Sequence, residues 1–227
     1  MRARRKLGTL IAAALWLCTA PAALKAETPP PASGLPPAPE TAEPVKVEGF
    51  RSAHFGMTEA QVSAAIQKDL GAAESAIARG ENAAEKTRNL AVTVKDLLSG
   101  GGPARVYYVF GYRSKRLIQV NVVWGSEIDP KAKAESVLDV ANALRDYFLA
   151  AGYKSDSVVA NAKLANGSIV VFRGEDEQGR MTLLVLTGGP AAKAADEQAQ
   201  PQPISLKLSY ILDHTNPDIY RIPRGQF

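Results

Sequence analysis

The 227-residue chain is short of the residues that most often carry recognisable chemistry. It has a single cysteine, Cys18, which excludes an internal disulfide and any cysteine-clustered zinc or iron–sulfur site. It has two histidines, His54 and His214, too few for a histidine-built metal centre. Asp213-His214 places a carboxylate beside an imidazole, but neighbouring residues at a strand end point in different directions. No Gly-x-Ser-x-Gly elbow offers them a nucleophile. The glycine-rich run Ser99-Gly100-Gly101-Gly102-Pro103 lacks a Gly-Lys-Ser/Thr ending and precedes a strand pattern, so it reads as a connection rather than a phosphate loop. Glu175-Asp176-Glu177 falls in a turn and is too short a ligand series for calcium. No cofactor and no metal is expected. Phe227 ends the chain as in many outer-membrane barrels, yet no alternating strand leads into it. With 46% hydrophobic and 22% charged residues, the composition is that of a folded protein rather than a disordered or fibrous one.

What is present begins with an export pattern. Arg2, Arg4, Arg5 and Lys6 precede an apolar run over 7–17, and small residues follow at Ala20, Ala22, Ala23 and Ala26. Residues 1–26 therefore read as a signal peptide cut after Ala26, with Ala22 as the second choice. The rival reading is an uncleaved anchor, for which 7–24 is barely long enough. Leu17 before Cys18 argues against a lipidation site. Removing this segment takes five basic residues (Arg2, Arg4, Arg5, Lys6, Lys25) from 27, leaving 22 against 23 acidic ones, a net charge of −1. The basic pI of about 9.1 thus belongs to the precursor. A nearly neutral mature chain gives no reason to expect nucleic acid as a partner. Membrane contact is expected only if the signal segment is kept. The expected location is the periplasm.

Residues 27–48 hold seven prolines between Pro29 and Pro44 and form a tether without a core. From Phe50 onward only Pro103 and Pro130 interrupt the chain before residue 189. Thr58 and Gln61 make a capping box, Met57 and Val62 a staple, and Val62, Ala65, Ile66 and Leu70 one helical face that Gly71 closes. Strand patterns follow at 90–98, 105–112 and 117–124, the last two joined by Arg113-Ser114-Lys115 as a hairpin. A short extended piece is expected near 75–79.

A second helix is predicted from Asp129 as N-cap with Pro130 at its first position, running to Gly152. Its buried stripe is Val137, Leu138, Ala141, Leu144 and Phe148. Strand patterns recur at 168–173, 180–186 and 204–212, and an Ala/Gln/Pro-rich loop is expected over 188–203. The tail 214–227 reads as irregular. The fold class is α+β, with antiparallel sheet and helices on one face, arranged as two helix–three-strand repeats (50–125 and 126–213) with room for one more short strand in each. The stretch around Phe110, Arg116 and Leu117 matches that around Phe172, Arg180 and Met181, which suggests a duplication.

The helix start Phe55-Gly56-Met57-Thr58-Glu59-Ala60-Gln61-Val62 resembles the small lipoproteins of the outer-membrane β-barrel assembly machinery and the repeats of β-lactamase-inhibitor-protein-like modules. That resemblance implies an exported α+β module working by protein–protein contact. It assigns no site residues.

The densest aromatic and basic group is Tyr107, Tyr108, Tyr112, Arg113, Lys115, Arg116 and Trp124. Tyrosine and arginine give large contact area and directional bonding, so these seven form the candidate binding surface for an envelope protein or peptide. The bland alternative is half-buried strand residues beside a solvated hairpin tip. The leading function is a non-enzymatic binding or envelope-assembly module. The alternatives are a periplasmic hydrolase with a motif-free Asp/Glu/Tyr site and a small-ligand sensor.

Overall fold

In the computed structural model, residues 43–189, 202–223 and 225 are described; the expected signal peptide, most of the expected tether and the centre of the expected 188–203 loop lie outside them. Helix α1 spans Glu59–Leu70. Its start is the capping box expected from sequence: Gln61 donates its amide to the Thr58 hydroxyl, and Thr58 donates its amide to the Gln61 side chain. Gly71 ends it at φ 62°, the left-handed conformation that glycine adopts without a Cβ penalty. Val62, Ala65 and Ile66 are buried on its inner face.

The strands are β1 (Gly49–Phe50), β2 (Ala53–His54), β3 (Ala78–Asn82), β4 (Thr87–Val94), β5 (Ala104–Phe110), β6 (Leu117–Gly125), β7 (Val159–Lys163), β8 (Ile169–Glu175), β9 (Met181–Gly189) and β10 (Gln202–Ile211). The first two pair with each other. The other eight form one antiparallel sheet in the order β3-β4-β5-β6-β10-β9-β8-β7. Helix α2 covers Ala134–Leu149.

The sheet is therefore two four-strand meanders joined edge to edge at β6 and β10, where Trp124 faces Leu206 and Val122 faces Leu208. Each meander follows a helix and a single 3₁₀ turn, Glu74–Ala76 in the first half and Ser155–Ser157 in the second. The repeat thus has four strands, not three. The sequence match between the two hairpins is out of step by one strand, because residues 110–117 join the third and fourth strands of the first half while 172–181 join the second and third strands of the second. What the two turns share is a carboxylate that accepts turn amides, Asp218 in the first and Asp176 in the second.

One face of the sheet carries the core. Leu90, Val106, Val122, Leu184, Leu206 and Phe172 are buried with residues of both helices in a single cluster spanning both halves. Each such side chain contributes roughly 1.5–3 kcal/mol by leaving water.

Helix α2 begins later than predicted. Asp129 and Pro130 instead form a turn, in which Lys131 donates its amide to the Asp129 carboxylate and Ala132 donates to the Asp129 carbonyl. Lys133 occupies the N-cap position and makes no side-chain cap. The last residues assigned to the tether are docked: Val45 donates to the Gly152 carbonyl, and Val47 is buried and donates to the Asp176 carboxylate at 2.9 Å.

Candidate functional site

The β5–β6 connection is a tight turn. Gly111 donates its amide to the Arg116 carbonyl, and Lys115 donates to the Gly111 carbonyl. Closing it this way turns the Arg113 and Ser114 amides outward, with no partner in the hairpin itself. Asp218 of the C-terminal tail supplies the acceptor: Arg113 donates to Asp218 Oδ1 at 3.0 Å and Ser114 to Asp218 Oδ2 at 2.8 Å. Tyr112 donates its amide to the Asp218 carbonyl at 2.8 Å. A Cβ on Gly111 would lie 2.2 Å from Asp218 Oδ2, so the close approach requires glycine there. Partial burial opposes the charged form of Asp218. The Ser114 hydroxyl and amide, the Arg113 amide and the Arg113 charge outweigh that and hold its carboxyl below the usual carboxylate range.

Two further contacts fix the tail. Tyr220 donates its amide to the Glu85 carbonyl in the β3–β4 turn, and its ring meets the Tyr112 ring edge-on with centroids 5.5 Å apart. A lysine stands over each ring: Lys86 Nζ is 3.8 Å from the Tyr220 centroid and Lys115 Nζ is 5.2 Å from that of Tyr112. Both lysines have left-handed backbones, with φ 52° and 53°. Non-glycine residues rarely adopt this conformation, which costs on the order of 1 kcal/mol each.

Hairpin and tail together bound an open groove of about 840 Å³. Its floor and walls include Tyr112, Tyr220 and Pro217, and its rim carries Arg113, Lys115 and Arg221. Among the described residues, none of these three cations, nor Lys86 or Arg116, has a carboxylate side chain within ion-pair distance. Asp218, the one acid among the described residues that line the groove, already holds the turn amides.

The seven sequence-predicted residues separate into three places. Tyr112, Arg113 and Lys115 line the groove, and Arg116 is exposed beside them in the same turn. Tyr107 lies on the sheet face away from the core, opposite Asn121, with the Arg105 guanidinium 5.4 Å from its ring centre. Tyr108 and Trp124 are only 2% and 1% exposed and belong to the core, so neither can contact a partner. Strand alternation places residues 107 and 108 on opposite faces, and Trp124 pairs with Ala104 on the core side. Burial also pushes the Tyr108 phenol well above its usual value.

Sequence reasoning missed Asp218, Tyr220, Arg221 and Lys86. The available hint was the spacing Asp218-Ile219-Tyr220-Arg221, a segment with apolar residues on a tail read as irregular.

The other candidates do not assemble into chemistry. A Cβ on Gly101 would come 2.6 Å from Val140 Cγ2 of α2, while Gly100 and Gly102 adopt left-handed backbones at φ 79° and 72°, so packing and turn geometry account for the glycine run. His214 Nε2 is 3.0 Å from Glu175 Oε1, a carboxylate that Arg173 also contacts, and His54 is paired loosely with Glu48 at 3.9 Å. Among the described residues, no group of three or more His, Cys, Asp or Glu side chains converges as metal ligands. Nor is any helix there long and apolar enough to cross a membrane. Compared with known proteins, the chain matches no family model, no curated protein and no solved structure, so the groove must be read from its own chemistry.

Proposed function

We propose that the protein is an exported, non-enzymatic binding module of the cell envelope, acting by protein–protein contact through the groove between the β5–β6 turn and the C-terminal tail. One observation carries this reading: Arg113, Lys115 and Arg221 rim a groove with tyrosine walls and none of them forms an ion pair with a described carboxylate side chain. Aromatic and arginine side chains are the types that carry most binding energy at protein interfaces. The strained lysines support it as well, since non-glycine residues held in sparsely populated backbone regions cluster at functional sites. Among the described residues lining the groove Asp218 has no second acid beside it, and its oxygens are committed to the turn, which favours binding over hydrolysis. The basic leader followed by an apolar run supports export.

The test is crosslinking in intact envelopes with mature protein tagged at its N-terminus, comparing wild type with Arg113→Glu/Lys115→Glu. A specific partner crosslinked to wild type and lost from the variant is the expected result. A partner crosslinked equally to both would place the contact elsewhere on the molecule.

A further inference from the structure

The groove also indicates what kind of segment it accepts, an inference that rests on the binding reading above. The tail shows how the hairpin tip holds an extended strand. In 218–220, one carboxylate takes two turn amides, one carbonyl takes a third, and an aromatic ring two residues later seats against Tyr112. This contact is satisfied within the chain. Among the described residues, nothing covers the outer side of the groove, where three exposed cationic side chains stand beside tyrosine and proline surface.

We infer that this outer side takes a short extended segment of a partner protein that is rich in Asp or Glu and carries an aromatic residue or proline. Its carboxylates would meet Arg113, Lys115 and Arg221, and its apolar residue would rest on Tyr112 and Pro217. Charge complementarity points to this occupant. The rim is uniformly cationic, arginine forms paired bonds with planar carboxylates, and the flat ring surface favours rigid rings over flexible aliphatic chains. A groove of this volume lies within the range of sites that enclose a compact ligand, here a few residues of an extended chain. The mature chain is close to neutral, so the cationic rim is a local feature. Attraction should therefore be short in range and specific to the groove.

The probe is a fluorescein-labelled synthetic peptide alternating Glu and Pro with one central Phe. Its binding to the mature protein is followed by anisotropy at low and high salt. Binding at low salt is expected, weakening progressively between about 50 and 500 mM salt. Arg113→Glu/Lys115→Glu should weaken it by about tenfold or more. Tyr220→Ala should weaken it too, with the far-ultraviolet spectrum unchanged. A peptide with Lys in place of Glu should not bind.

Absence of binding at low salt, insensitivity to the charge reversal, or equal affinity for inorganic polyphosphate of matched charge would each overturn the inference. The envelope crosslinking test separates this failure from failure of the binding reading. If the double variant loses its crosslinked partner while wild type ignores the acidic peptide, the groove binds but the partner's chemistry is different. If the crosslinked partner is unaffected, the groove is not the site.

Discussion

Lys86 and Lys115 each combine a left-handed backbone with an ammonium over a groove tyrosine, which makes them a direct test of whether strain is kept for recognition. Glycine at 115 adopts the same backbone without a Cβ clash. Lys115→Gly is therefore expected to raise unfolding free energy by about 1 kcal/mol in urea titrations while weakening acidic-peptide binding. A variant that gains no stability would show the position is unstrained. Asp218 gives the second residue-scale prediction. Its carboxyl is held below the usual range, so its contribution to tail docking is complete above the ordinary carboxylate pKa and is lost as pH falls through its own lowered value. The amide resonances of Arg113 and Ser114 should therefore move together in an acid titration, with a midpoint below that of a free aspartate. Asp218→Asn should abolish that movement, and a midpoint at or above the free value would contradict the clip. Asp176 plays a comparable part inside the fold. It is 1% exposed and accepts from the amides of Val47, Gln178 and Arg180 and from Arg180 Nε at 2.7 Å. Asp176→Ala leaves three backbone amides and a half-buried guanidinium without their acceptor and is expected to cost about 3 kcal/mol, read as a lowered urea midpoint. In sequence, Asp176 looked like one acid in a solvated turn, because what buries it is a segment from the far N-terminal side of the domain.

At the scale of elements, legibility followed how completely local chemistry determined the outcome. Helix α1 could be placed to the residue because Thr58, Gln61 and Gly71 satisfy both of its ends from within six or fewer positions. Thr58→Ala should cost about 1 kcal/mol by thermal or chemical denaturation. The start of α2 was misplaced because Asp-Pro suits a turn and a helix N-terminus equally well, and the turn prevailed once Ile128 and Asp129 could donate to the Gly125 carbonyl. The central strands showed their alternation because one face is buried. The edge strands showed little. β3 reads Ala-Arg-Gly-Glu-Asn and is exposed at every position, while β7 carries Asn161 at φ 54°. Polar composition and a backbone irregularity are how edges avoid pairing with other chains, and the same features erase the hydrophobic pattern from which strands are read. The groove was half legible for a similar reason. Tyr112, Arg113, Lys115 and Arg116 are adjacent in sequence, whereas Asp218, Tyr220 and Arg221 reach them only through a long-range contact.

At the scale of the whole molecule, the two halves share one core and meet along a single strand pair. β10 pairs with β6 from Ser205 opposite Gly125 to Ile211 opposite Gln119. Trp124, Val122, Leu206 and Leu208 are nearly inaccessible there because each half covers the other. Separating the halves between residues 125 and 126 would leave β6 and β10 as long apolar edges, the arrangement most prone to aggregate. It would also divide a single core to which both halves contribute, leaving each fragment too small a buried surface to fold alone. Fragments 43–125 and 126–227 should each fail to show a cooperative unfolding transition alone. Produced together, they should assemble and recover the strand signal of the intact protein, because the seam is antiparallel and self-contained and needs no chain connection to hold its register. The reassembled pair should also bind the acidic peptide, since the β5–β6 turn comes from one fragment and the Asp218 tail from the other, and the groove exists only when both are present. Cooperative folding of 43–125 by itself would show two independent cores. Binding by that fragment alone would show that the tail is dispensable to the site.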